Sequence, residues 1–170
     1  MINSKKRDLS IFFDPKISID EINTVAEEVS YTYGIQIIEK SELSIISSAL
    51  NKSRNQYNGQ FLLNYLIENK NQRFFLWIVK DDLYIPFRNF VFGLATKDYG
   101  AVLTFHRLTS IDMKIKESIH ECGHIYGLNH CKNNCVMQYS NSFNDAMNKP
   151  SKLCQKCQQS LVSSIDKLQD

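Results

Sequence analysis

The sequence predicts an α/β protein built on a mainly parallel sheet. Two observations carry that expectation. Short apolar runs alternate along the chain with segments of helical period, the order that gives β-α-β units. One run, Phe74 to Val79, is apolar at every position, as a central strand covered on both faces should be. At 170 residues, 43% hydrophobic and 22% charged, the chain has the size and balance of one globular domain with a sizeable core.

The elements follow in order. Leu9 to Phe13 is the first strand, stopped by Asp14-Pro15. Ser18-Ile19-Asp20-Glu21 has capping-box spacing, and Ile22, Val25, Ala26, Val29 and Tyr33 then recur at helical intervals up to a stop at Gly34. Ile35 to Ile38 reads as a second strand and Leu43 to Ile46 as a short third. Gln60 to Ile67 lies in a helix with Phe61, Leu62, Tyr65 and Leu66 on one side. Pro86 and Gly93 break Leu83 to Ala95 into strand and loop, and Ala101 to Leu108 is a further strand. Thr109 or Ser110 opens the next helix, whose apolar stripe is Ile111, Ile115, Ile119, Cys122 and Tyr126. A last short helix spans Cys154 to Leu168, with Leu161, Ile165 and Leu168 inward.

The bulk properties exclude several classes. A net charge of +2 with scattered basic residues does not describe a nucleic-acid-binding face. The triplet Lys5-Lys6-Arg7 reads as a solvated edge. The apolar run after it is too short for a secretory signal, and no stretch approaches a membrane span. The expected location is cytoplasmic, where paired cysteines are better read as metal ligands than as disulfides.

Residues 120–130 read His-Glu-Cys-Gly-His-Ile-Tyr-Gly-Leu-Asn-His. His120 and His124 are one helical turn apart, on a face away from the apolar stripe, which suits two nitrogen ligands on one zinc ion. Gly127 lets the helix break so that His130 returns as the third ligand. Three protein ligands leave a fourth position for water, whose pKa zinc lowers to about 7. Glu121 is placed to take a proton from that water and pass it to a leaving amine. His106, the fourth histidine, reads as a structural or rim residue. Cys122 lies on the apolar stripe and reads as a small buried residue.

Cys131 and Cys135 are separated by three residues, Cys154 and Cys157 by two, both within the range for a tetrahedral zinc. Four thiolates close the shell, so this site is expected to be structural. His130 and Cys131 are consecutive, so anchoring one fixes the backbone of the other.

The eleven-residue histidine string resembles that of the metzincin metallopeptidases. With Cys131, Cys135-Val136-Met137 and Cys154-Gln155-Lys156-Cys157 added, the chain resembles the archaemetzincins. Asp82 to Pro86, Asn89 to Gly93, Ser140-Asn141-Ser142 and Lys149-Pro150 extend the likeness. The resemblance implies a compact metzincin-like (zincin) domain over 1–170: a twisted, mainly parallel sheet with an antiparallel edge strand, an active-site helix and a small zinc-braced C-terminal subdomain. A cleft would divide an upper part, about 1–127, from a lower part, about 128–170. Met137 would form a Met-turn under the catalytic zinc, and Ala101 to Leu108 the edge strand of the cleft, able to bind an extended peptide by strand addition. The chain departs from the family in having three residues between its first two cysteines where about four are usual. Leu94 stands where an acidic residue is expected, Phe87-Arg88 replaces what is often a smaller pair, and Tyr139 stands where Phe is expected. Tyr139 is assigned a packed ring, with assistance to catalysis as the other option. The resulting expectation is a monomeric peptidase with two zinc ions, acting on peptides, with no nucleic-acid or membrane partner. The rival reading is a catalytically silent peptide-binding or regulatory zinc protein.

Overall fold

The structure, a computed structural model, describes residues 7–70 and 73–166, and side chains over 7–69 and 73–162. The expectations for Lys5, Lys6 and the side chains of Ile165 and Leu168 fall outside the described residues. The chain runs β1 (Leu9–Phe13), α1 (Ile19–Tyr33), β2 (Ile37–Glu42), β3 (Leu50–Asn51), β4 (Gln56–Asn58), α2 (Gly59–Lys70), β5 (Phe75–Val79), β6 (Leu83–Tyr84), β7 (Gly93–Thr96), β8 (Gly100–Thr104), α3 (Ile111–Ile125), α4 (Phe143–Asn148) and α5 (Gln155–Asp166).

The main sheet has the order β2-β1-β5-β8-β7. The first four strands are parallel and β7 pairs antiparallel with β8. β3, β4 and β6 form a second small sheet. The period of two in the central strands builds two cores. Leu9, Ile11, Leu76, Ile78, Ala101 and Leu103 face α1 and α3, while Phe12, Phe75, Trp77 and Val102 face α2. The sheet is thus covered on both faces, as the apolar run of β5 requires.

The helix signals act as read. Ser18 Oγ accepts from the Asp20 N–H, and Gly34, with φ 63°, ends α1 by donating its N–H to Ser30 O. Tyr33, at the end of α1, donates its hydroxyl to Ile119 O at 2.6 Å and so ties α1 to the middle of α3.

Several expectations need correction. The cleft's edge is β7, not Ala101 to Leu108. β8 is buried at all five positions between β5 and β7, whereas every residue of β7 is half-buried. The second strand starts at Ile37, later than expected, and runs on through polar residues, because an edge strand needs no apolar face towards solvent. Leu43 to Ile46 forms no strand; Leu43, Ile45 and Ile46 pack as loop residues against the core beneath α2. That helix buries Leu62, Leu63 and Leu66, while Phe61 and Tyr65 face outward. Ile111, at the mouth of α3, is exposed, and Met113 and Ile125 join Ile119 and Cys122 in the core. Among the described residues no helix is long and apolar enough to cross a membrane.

Candidate metal centre and cleft

α3 presents the first two histidines from a rigid element. Ser110 Oγ caps its start by accepting the Met113 N–H at 3.2 Å. Gly127 ends the path with φ 92°, a left-handed angle that favours glycine, and the Leu128 N–H closes the turn on Gly123 O at 2.8 Å. The chain reverses there and returns His130 to the helix.

The ligand atoms of His120, His124 and His130 lie within 4.8 Å of one another. His120 Nδ1 is 3.0 Å from Val136 O, and His124 Nδ1 is 2.8 Å from Leu128 O. A carbonyl only accepts, so both Nδ1 atoms carry the hydrogen and both Nε2 atoms present lone pairs. Those Nε2 atoms are 3.1 Å apart. Two lone pairs facing each other at that range repel unless a cation lies between them. Ligands about 2.0 Å from a tetrahedral zinc would themselves be about 3.3 Å apart, so the donor set fits zinc. Burial lowers the pKa of all three histidines, His120 most, and the Lys149 charge lowers each further. They are held in the neutral form that a metal ligand needs.

Glu121 is buried, and its Oε2 has no hydrogen-bond partner, alone among the buried side-chain oxygens and nitrogens of the described residues. Such an orphan is costly and marks a place for a ligand or water. Burial, then the charge of Glu117, pushes the Glu121 carboxyl up to about 8. Gly93 makes room for this carboxyl: a Cβ there would stand 2.7 Å from Oε1. The glycine therefore brings the first residue of β7 directly against the side chain. Glu121, the three histidines and β7 line one cleft of about 430 Å3, together with Arg88 and Phe90 from the segment before β7 and Lys97 from the turn after it.

Met137 is fully buried beneath the histidines' helix, its thioether against Gly123, where a Cβ would be 2.8 Å from Cε. Tyr139 is half-exposed. Its ring lies 5.0 Å from that of His130, and its hydroxyl is 3.5 Å from Asn141 Oδ1.

The sulfurs of Cys131, Cys135, Cys154 and Cys157 also lie within 4.8 Å of one another. Cys131 Sγ and Cys154 Sγ are 3.8 Å apart. Sulfurs about 2.3 Å from a tetrahedral zinc would be separated by about 3.8 Å, so this set fits too. The shorter spacing between the first two cysteines does not prevent convergence. The Cys154 N–H donates to Cys135 Sγ at 3.3 Å, and Asn133 Nδ2 approaches Cys154 Sγ at 3.7 Å. Hydrogen bonding from the Cys157 backbone holds the Cys154 thiol below its usual range, while burial raises Cys157 and Cys135. The junction between the two sets is direct: the Cys131 N–H bonds Met137 O at 2.9 Å, while Val136 O receives His120.

His106 is exposed and outside both clusters, and Cys122 is buried with its thiol pKa raised by burial. One group escaped the sequence reading. Glu117 pairs with Lys149 at 2.7 Å and accepts from Ser140 Oγ at 3.0 Å, and Lys149 also reaches Gln138 O at 3.4 Å. The signal for Glu117 was present: it stands three residues before His120 and seven before His124, on their face of the helix.

The profile of Peptidase family M54 matches residues 16–163. An archaemetzincin from Nanoarchaeum equitans is 37% identical over 142 residues, covering 84% of this chain and 83% of the relative. The crystal structure of the archaemetzincin from Methanopyrus kandleri superposes with a TM-score of 0.84 at 28% identity, over 97% of this chain and 99% of that one. That of a zinc-dependent peptidase from Methanocorpusculum labreanum gives 0.76 at 26% identity, over 90% and 99%.

Proposed function

Because the chain belongs to peptidase family M54, we propose that this zinc metallopeptidase cuts peptide bonds with Glu121 as the group that moves the proton. His120, His124 and His130 would hold a catalytic zinc, and Cys131, Cys135, Cys154 and Cys157 a structural one. Zinc supplies Lewis acidity when bound: it polarises a carbonyl and makes a water more acidic. The protein's own residues do the rest. Glu121 Oε2 takes the proton of the attacking water and returns it to the nitrogen of the departing amine. β7 receives the peptide by strand addition along its free outer edge, which keeps the scissile bond beside Gly93 and hence beside Glu121. Tyr139 buttresses His130 through its ring.

The observation that carries this reading is the orphaned Glu121 Oε2 in the same cleft as three converging imidazoles. The cleft takes residues from both the upper part, about 1–127, and the lower part, about 128–170. The substrate class that a peptidase cleft of about 430 Å3 along an edge strand would take is an extended peptide. The five unpaired thiols fit a cytoplasmic location.

A mass-resolved digest of a peptide library by the zinc-loaded protein and by Glu121→Ala tests the reading. Both should hold zinc, and the variant should lose on the order of 10^2- to 10^4-fold in rate. Equal turnover by the variant removes Glu121 from the mechanism. Binding without turnover by the wild type would favour a silent peptide-binding protein instead.

A further inference from the structure

β7 sets the direction in which an extended peptide crosses the cleft. Antiparallel addition is the more stable pairing. A peptide paired that way runs from the Thr96 end of β7 towards the Gly93 end. Glu121 touches Gly93, so residues on the C-terminal side of the cut bond pass beyond Gly93, towards the segment that precedes it.

Arg88 stands on that side. Its guanidinium carbon is 5.7 Å from the centre of the Tyr139 ring, which packs on His130. The loop beneath it is anchored: the Arg88 N–H bonds Ile85 O at 3.1 Å, and Arg54 Nη2 donates to Arg88 O and Asn89 O at 3.0 and 2.9 Å. Its neighbour Phe87 holds a left-handed φ of 68° with its ring wholly in solvent. Among the described residues no carboxylate pairs with Arg88. The remaining charges of the cleft do not satisfy it either. Glu117 is taken by Lys149, Glu121 is buried against Gly93, and Lys97 is a second cation, near Gly127 and next to the Thr96 end of β7.

We infer that Arg88 selects peptides carrying a carboxylate on the C-terminal side of the cut bond, either an acidic side chain or the peptide's own C-terminus. The inference rests on the peptidase reading above. A guanidinium is suited to this task because its planar fork matches a carboxylate.

The test uses the zinc-loaded protein and one peptide library made three ways: neutral with a free C-terminus, neutral and amidated, and amidated with Asp or Glu at varied positions. Wild type should cut the carboxylate-bearing arms with kcat/KM roughly 10-fold above the neutral amidated arm, the size expected of one charge-assisted hydrogen bond. The cuts should fall N-terminal to the carboxylate, and the preference should shrink as salt rises. Arg88→Gln should bring the ratio close to one, and Arg88→Lys should restore part of it. The arm that shows the preference identifies the source of the carboxylate. Turnover with no preference, or a preference that survives Arg88→Gln, overturns the inference alone. No turnover of any arm by the wild type overturns the peptidase reading and this inference with it.

Discussion

Lys149 Nζ sits 2.7 Å from Glu117 Oε1, and the two side chains leave 1% and 2% of their surface to solvent. The pair joins α3 to the loop that carries Ser140 and Gln138, beside the three histidines.

Breaking this pair strands a buried charge. Glu117→Ala or Lys149→Ala should each cost about 3 to 5 kcal/mol, whereas replacing both with apolar residues of similar volume should cost far less. Urea unfolding of the two single variants and the double variant measures this. Additive losses in the double variant would show that the two do not act as a pair.

His130 and Cys131 are consecutive and belong to different clusters, so a change at one is expected to reach the other. Cys131→Ser should lose the zinc of the cysteine set and weaken the histidine set by roughly 10- to 100-fold, the usual penalty for removing a group that orients a ligand. Metal analysis alongside peptide turnover tests it. A variant that lost one zinc but kept full activity would refute the coupling.

Gly93→Ala should act on chemistry more than on folding. The added Cβ would stand 2.7 Å from Glu121 Oε1, so the carboxyl has to move. A misplacement of about 1 Å can cost about 10^2-fold in rate. The expected signature is a lower kcat with zinc content and thermal midpoint close to wild type; an unchanged kcat would contradict the contact's importance.

Gly127→Ala should act on the site through the backbone. A side chain at φ 92° is strained by about 1 to 2 kcal/mol, and Lys97 Cε would lie 3.1 Å from the new Cβ. For a chain of this length that lowers Tm by about 2 to 8 °C. Chelator titration should also show weaker zinc retention, because Gly127 directs His130 back to α3. Unchanged Tm and retention would mean that the turn relaxes at no cost.

Much of this architecture was readable in the residues, for physical reasons. β1, the Ser18 cap, the Gly34 stop and the central β5 have strong local signals: an apolar run, a hydroxyl at helix entry, a residue free to take positive φ. All seven candidate ligands followed from spacing, since helical pitch and metal geometry act over few residues. The failures came where local pattern and tertiary role diverge. β2 is an edge strand with polar residues, so its extent left no apolar trace. β7 is four half-buried residues beginning with glycine, so the longer apolar run of β8 drew the edge assignment away from it. Glu117 and Lys149 lie far apart in the chain, and only the fold brings them together.

The order of parts along the chain has a consequence for how the protein is made. The last strand of the described sheets ends at Thr104, and the first candidate ligand is His120. During synthesis from the N-terminus, every strand of the described sheets is therefore made before the first candidate ligand. The seven candidate ligands then emerge within one stretch, from His120 to Cys157. A candidate metal centre made in this order would form on a sheet whose strands are already synthesised.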